Sequence, residues 1–231
     1  MAKLNKGLIN ISGTLGGITL VQTRTGPVAR ARRGTHKPAT CNEKLQRENK
    51  RNNIVNTPAK RVNDVLLAYA KDFKKSNLWS DLLSKVRQCS SDVFIDLLRT
   101  MEGTEANPRY PFSKILPCAS AEVNVHKGVI TLAMHLRGAP VFAMTQKPVQ
   151  YCIEWHVLFI DDERAALPEE TINSGWMDIA QPLQKFETSF EIPVMAKYYV
   201  VFAKVQGGKG EQFMEDRRAM GVRVMKVGEV G

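Results

Sequence analysis

The stretch VQYCIEWHVLFID, Val149–Asp161, decides how the second half of this chain is read. Its apolar residues alternate. In an extended strand Ile153, Trp155, Val157 and Phe159 point to one side, and Cys152, Glu154, His156 and Leu158 to the other. The first face is core; the second carries a Glu and a His beside Leu158. Six more segments share this period of two: AEVNVH (121–126), GVITLAMHL (128–136), WMDIAQPL (176–183), FETSFEIPV (186–194), KYYVVFAKVQ (197–206) and AMGVRVMKV (219–227). Gly, Pro and acidic loops separate them. Seven strands over about 110 residues predict an antiparallel β-sandwich, Ig-like, over residues 120–231.

Upstream the period changes. Thr40 with Glu43 reads as a capping box opening the helix CNEKLQRENKRNNIVN, and Thr57-Pro58 reads as a restart, with Pro58 at a first helical position. Val62, Val65, Leu66, Tyr69 and Phe73 then form the apolar stripe of a packed helix. Trp79, Leu82, Leu83 and Val86, and after them Phe94, Leu97, Leu98 and Met101, continue the pattern. Residues 41–102 are therefore a helical region and 103–119 a Pro-containing linker. The fold class is α+β: a basic β-rich N-terminal arm, a central helical layer and the C-terminal sandwich.

The arm, residues 1–40, reads as short strands, GLINIS and GITLVQT, with GTLGG as the turn between them and TRTGP as a second turn leading into VARAR. Charge concentrates here and in the first helix. Of the net +10, residues 1–61 hold thirteen Lys and Arg against Glu43 and Glu48, a net of +11, and the remaining 170 residues are close to neutral. In an extended VARARR, Val28, Arg30 and Arg32 share one side, and Ala29, Ala31 and Arg33 the other. Arg24 and Lys37 flank this ribbon, and Lys44, Arg47, Lys50, Arg51, Lys60 and Arg61 carry the same sign along the helix. Such asymmetry suits a polyanion or an acidic protein surface. No aromatic lies among residues 1–61, so nucleic acid would be held through phosphates without base stacking or sequence readout.

Catalytic signatures are missing. SGTLGG matches neither phosphate-loop pattern and sits between strands, so it reads as turns. His36, His126, His135 and His156 are widely spaced. Two strands could bring His135 and His156 together, with Glu154 on the face of His156; that arrangement would suit a metal or acid/base site, but polar residues on the solvated face of a sheet are the commoner reading, and a hydrolase or lectin on that face is the remotest. Asp161, Asp162, Glu163, Glu169 and Glu170 make an acidic loop without the spacing of a calcium loop. No Ser or Cys has the context of a nucleophile. Cys41, Cys89, Cys118 and Cys152 lack metal-site spacing and read as reduced thiols, and no segment has the length of a membrane span. The expectation is a protein without cofactor or metal, cytoplasmic, or part of a virion if phage-encoded.

The opening MAKLNKGLINISGTLGGITLVQTRTGPVARARRGTHKPATCNEKLQREN, with CIEWHVLFIDDERA and KYYVVFAKVQ, resembles an uncharacterised Bacteroidota family. Its members begin with a Gly-rich double strand, a basic turn, a KP-x-T-like stretch and a Gln/Arg-containing helix; here the central helices are longer and more basic. The resemblance implies the architecture and a bacterial or phage-related cytoplasmic origin, and supplies no catalytic residues. The functional expectation is a non-enzymatic structural protein that self-assembles into a homo-oligomer through contacts of its basic arm. The alternative is an accessory protein that grips DNA or RNA phosphates with Arg24, Arg30, Arg32, Arg33, Lys37, Lys44, Arg47, Lys50, Arg51 and Arg61.

Overall fold

A computed structural model describes residues 2–3, 13–15, 18–23, 26–31, 43–70, 77–117, 119–182 and 184–231. The chain divides into two compact units, Met1–Glu48 and Asn49–Gly231. Helices and antiparallel sheets make an α+β protein.

In the first unit β1 (Ala2–Lys3), β2 (Gly13–Leu15), β3 (Ile18–Thr23) and β4 (Gly26–Ala31) form an antiparallel sheet in the order β1-β4-β3-β2. Ile18–Thr23 of GITLVQT and residues 28–31 of VARAR are thus strand as expected, while GLINIS and Thr40 lie outside the described residues. Gly13–Leu15, expected as part of a turn, is a strand. It pairs antiparallel with β3, Leu15 opposite Ile18.

Helix α1 runs from Glu43 to Ala70 without interruption, so the expected restart at Pro58 does not occur. Pro58 forfeits one helical hydrogen bond. Val55, Ala59, Val62, Val65 and Leu66 are nevertheless buried on one continuous stripe on both sides of it, and Thr57 donates its hydroxyl to the Asn53 carbonyl at 3.1 Å. Burial of that stripe, about 1.5 kcal/mol or more for each large side chain, offsets the lost bond. Helices α2 (Leu78–Arg87), α3 (Phe94–Arg99) and α4 (Phe112–Ile115) follow. Phe94, Leu97, Leu98 and Met101 are buried as expected; in α2 Leu78 takes the core position and Trp79 stays 38% exposed. Phe73 lies outside the described residues.

Two further sheets complete the second unit. The smaller has the order β10-β6-β5, from β5 (Ser120–His126), β6 (Val129–His135) and β10 (Lys185–Glu191). The larger is built on β7 (Gln150–Asp161) and β11 (Ala196–Lys209), paired from Gln150 opposite Gly208 to Asp161 opposite Ala196. On the far side of β7 lie β8 (Glu170–Asn173) and β9 (Met177–Asp178); on the far side of β11 lie β12 (Gln212–Phe213) and β13 (Met220–Glu229). All seven expected segments contain strand, although WMDIAQPL contributes only the two residues of β9. The short polar strands β8 and β12 were not foreseen.

Both faces of the large sheet are covered. Ile153, Trp155, Val157 and Phe159 join Tyr199, Val201 and Val205 in a core with Ile130, Leu132, Met134 and Phe190 of the small sheet. On the opposite face Leu158, Ile160, Val200, Phe202, Val222 and Val224 pack against the apolar stripes of α1, α2 and α3. The side of β7 expected to be solvated is therefore roofed by helices. Residues 103–106 run along the outer edge of β13, where Gly103 N donates to Val224 O (2.8 Å) and Ala106 N to Val222 O (2.9 Å). Phe112 and Ser113 donate their backbone N–H groups to the Glu105 carboxylate at 2.8 and 3.2 Å. At Gly221 the chain passes so close to α4 that a Cβ would lie 2.8 Å from Phe112 Cα, so only glycine fits without a backbone shift.

Candidate functional site

The basic residues fall into three groups. Arg30 is in β4, opposite Thr19 of β3, while Arg24, Arg32, Arg33 and Lys37 lie outside the described residues. Lys44, Arg47, Lys50 and Arg51 are exposed on α1, where every residue from 43 to 53 is exposed. Arg47 approaches Glu43 at 3.9 Å with both side chains more than four-fifths in water, a pair of little energetic weight. Arg51 and Arg61 have structural employment: Arg51 Nη2 donates to the Cys89 carbonyl at 2.9 Å and Arg61 Nε to the Arg164 carbonyl at 2.8 Å. Both bonds tie α1 to neighbouring segments of its own unit.

A second site emerges where the end of α1 meets the large sheet. Successive even positions of β7 place Glu154 and His156 on the helix side, and β11 places Lys204 opposite Glu154 and Phe202 opposite His156. Tyr69, in the last turn of α1, comes down on them. Its hydroxyl donates to Glu154 Oε1 at 2.8 Å and lies 3.1 Å from His156 Nδ1. Lys204 Nζ is 3.5 Å from Glu154 Oε2 and sits over two rings, 5.3 Å from the centroid of Tyr69 and 5.6 Å from that of Phe213. Glu169, just before β8, brings Oε2 to 3.1 Å from His156 Nε2, off the line of a good hydrogen bond. Beyond Phe213 the ring of Trp176 packs at 4.7 Å, lying where a Cβ on Gly208 would be.

The electrostatics follow from this packing. Burial, reinforced by Glu154, pushes the Tyr69 phenol far above its ordinary range, so it remains a donor. Burial also holds His156 below the usual imidazole value, against the opposing pull of Glu169 and Glu154. The Cys152 thiol is pushed up by burial and stays protonated; Cys152 and Cys89 carry free thiols. The group of the cluster placed to take up a proton is His156, between the Tyr69 hydroxyl and the Glu169 carboxylate. Among the described residues no three His, Cys, Asp or Glu side chains are placed to hold a metal ion.

His135 belongs to the small sheet and His156 to the large one, so the two do not pair across strands of one sheet. His135 instead faces Glu122 at 3.5 Å beside an open cleft of about 850 Å³ that Arg137 and Lys185 also line. In the acidic loop Asp162 pairs with Lys197 at 2.7 Å, and Asp161 accepts the backbone N–H of Ala165 at 2.7 Å. Alternation in β7 singles out Glu154 and His156, whereas by pattern Tyr69 reads as part of a core stripe and Glu169 as part of a solvated loop. The available signal was Lys204, a lone charge inside the apolar run YYVVFAKV.

No family model and no curated protein matches this chain. Among solved structures it is similar in part to the Glycosylation Associate Protein (Gap123) complex from Streptococcus agalactiae, at 12% identity over 53% of this chain and 41% of that one, with a TM-score of 0.18. A likeness that faint, spanning about two fifths of the matched chain, supports no statement about fold or function. Among the described residues no helix is long and apolar enough to cross a membrane.

Proposed function

We propose that this is a non-enzymatic structural protein that assembles with copies of itself, using its basic N-terminal segment as the contact element. The observation that carries the reading is the first part of α1, residues 43–53, in which every residue is exposed. A helical stretch of that length is marginal in water on its own, and none of its residues is buried. Lys44 and Lys50 have no ion-pair partner among the described residues, which leaves their charge available to a partner. Met1–Glu48, which include the start of this stretch, form a separate compact unit with its own sheet, and residues 1–61 hold the chain's entire positive excess. Short strands at both edges of that sheet leave most of the outer backbone of β4 unpaired among the described residues, which suits strand addition by a second molecule.

Two finer readings belong to the same proposal. Residues 1–40 act as an arm, and the two sheets of the second unit form an Ig-like sandwich, supported by the core their facing sides share. Phosphate binding by the same cations is the competing account. It predicts an affinity that falls about 10³- to 10⁵-fold between 50 and 200 mM salt for six to ten contacts. Deletion of residues 2–36, followed by light scattering, tests the assembly reading. Loss of the oligomer supports it, and an unchanged mass eliminates it.

A further inference from the structure

Three contacts in the Tyr69 cluster compete for two hydrogens. The phenol brings one and a neutral imidazole brings one; Glu154 Oε1 to Tyr69 (2.8 Å) and Tyr69 to His156 Nδ1 (3.1 Å) take one each, and the approach of His156 Nε2 to Glu169 Oε2 (3.1 Å), off the hydrogen-bond line as it stands, would need a third. Glu154 offers acceptors only: Tyr69 donates to its Oε1 at 2.8 Å and its Oε2 faces the Lys204 ammonium at 3.5 Å. The phenol hydrogen goes to Glu154, the shorter contact and the one to an ionised acceptor. Nδ1 must then carry the imidazole hydrogen and donate to the phenol oxygen. In a neutral ring this leaves Nε2 as a bare lone pair facing a carboxylate oxygen, a repulsive contact that Glu169 escapes by turning outward. With its side chain 45% exposed it is free to do so.

We propose that His156 and Glu169 form a proton-gated latch on the edge strand β8: the imidazolium holds Glu169 against β7, and the neutral ring, committed to its Nδ1–H tautomer by Tyr69, releases it. The ligand of this site is a proton, and the moving part is the entry to β8. That strand is short and exposed throughout, and it pairs with β7 only from Glu154 opposite Asn173 to Val157 opposite Glu170. Every element packed on the ring contributes to the balance. Tyr69 comes from α1, Glu154 from β7, Lys204 from β11 and Glu169 from the approach to β8; Thr171 lies opposite in register, and Phe202 meets the ring edge-on at 5.5 Å. Burial opposes the cation and the carboxylates of Glu169 and Glu154 favour it, so closure belongs to solution below the ordinary imidazole value. The latch stands independently of the assembly reading.

Long-range ¹H–¹⁵N spectra of the full chain, labelled at histidine and recorded from pH 8 to pH 4.5, test this directly. The wild type is expected to show His156 as the Nδ1–H tautomer when neutral and protonated at both nitrogens when charged. Glu169→Gln is expected to lower the midpoint, and Tyr69→Phe to move the neutral ring to the Nε2–H tautomer, because Glu169 is then the remaining acceptor. Exchange of the β8 amides, corrected for its intrinsic pH dependence, should slow roughly two- to fivefold below the midpoint, the scale of a partly exposed ion pair. A neutral wild-type ring in the Nε2–H form overturns the proposal without any variant. So does a midpoint that Glu169→Gln leaves unmoved in a protein whose backbone spectrum shows it folded.

Discussion

Replacing Lys204 with Met removes a charge that three neighbours use while retaining most of its aliphatic stem. Lys204 Nζ is 3.5 Å from Glu154 and within 5.6 Å of the Tyr69 and Phe213 ring centroids, and the two charged side chains are only 16% and 23% exposed. Breaking a fully buried pair by removing one partner costs about 3–5 kcal/mol, because the other charge is stranded. Partial exposure lowers that here to about 2 kcal/mol, and the two cation–π contacts add about 0.5–1 kcal/mol each. A loss of about 3–4 kcal/mol in urea unfolding is expected, with the denaturant slope unchanged. Glu154→Gln keeps an acceptor for the Tyr69 hydroxyl and removes the stranded charge. The double variant should therefore be at least about 1.5 kcal/mol less destabilised than the sum of the singles. A single substitution costing under about 0.5 kcal/mol, or strict additivity in the cycle, would show that the cluster is a solvated surface feature.

Acid should weaken the fold through His156. An unfolded chain takes up its imidazole proton near the ordinary value of about 6.5, while the folded chain does so only at lower pH. Stability therefore falls as pH drops from about 6.5 to the folded value and levels off below it; His156→Gln should flatten this part of the profile of urea midpoint against pH. The latch concerns only the local balance at β8, so its closure in acid coexists with this global loss. Gly221→Ala should cost about 1–3 kcal/mol by forcing the backbone of α4 away from β13, measured by thermal unfolding; a neutral result would mean that α4 is loosely held. Changing Lys44, Arg47 and Lys50 together to Gln should alter stability by no more than about 0.5 kcal/mol while changing self-association, since all three are exposed.

Strands with strict alternation were legible because one residue in two had to enter a core. Ile153, Trp155, Val157 and Phe159 read as a core face from alternation alone, and they lie in the core between the two sheets. The opposite face was misread because Glu154 and His156 interrupt its apolar run, and nothing in β7 itself announces that helices cover it. β8 escaped notice since Glu170–Asn173 is exposed on both faces of its pleat and so carries no burial pattern. Pro58 misled for a related reason: its local cost is real, but the stripe from Val55 to Leu66 is anchored by packing that local preference does not register. The cluster at Tyr69 joins residues 69, 154, 156, 169 and 204, a long-range meeting that spacing cannot reveal. The charge of the N-terminal quarter, by contrast, was visible at once, because it is a property of composition alone.

Size-exclusion chromatography with light scattering on the full chain at low and high salt, with absorbance read at 260 and 280 nm, tests the central claim most directly. The assembly account predicts a particle that is a whole-number multiple, two or more, of the 25.9 kDa chain, with the absorbance ratio of protein alone, and a return to the single-chain mass when residues 2–36 are removed. A full-length protein that elutes as one 25.9 kDa chain under every condition, or whose excess mass is nucleic acid lost in high salt, contradicts it.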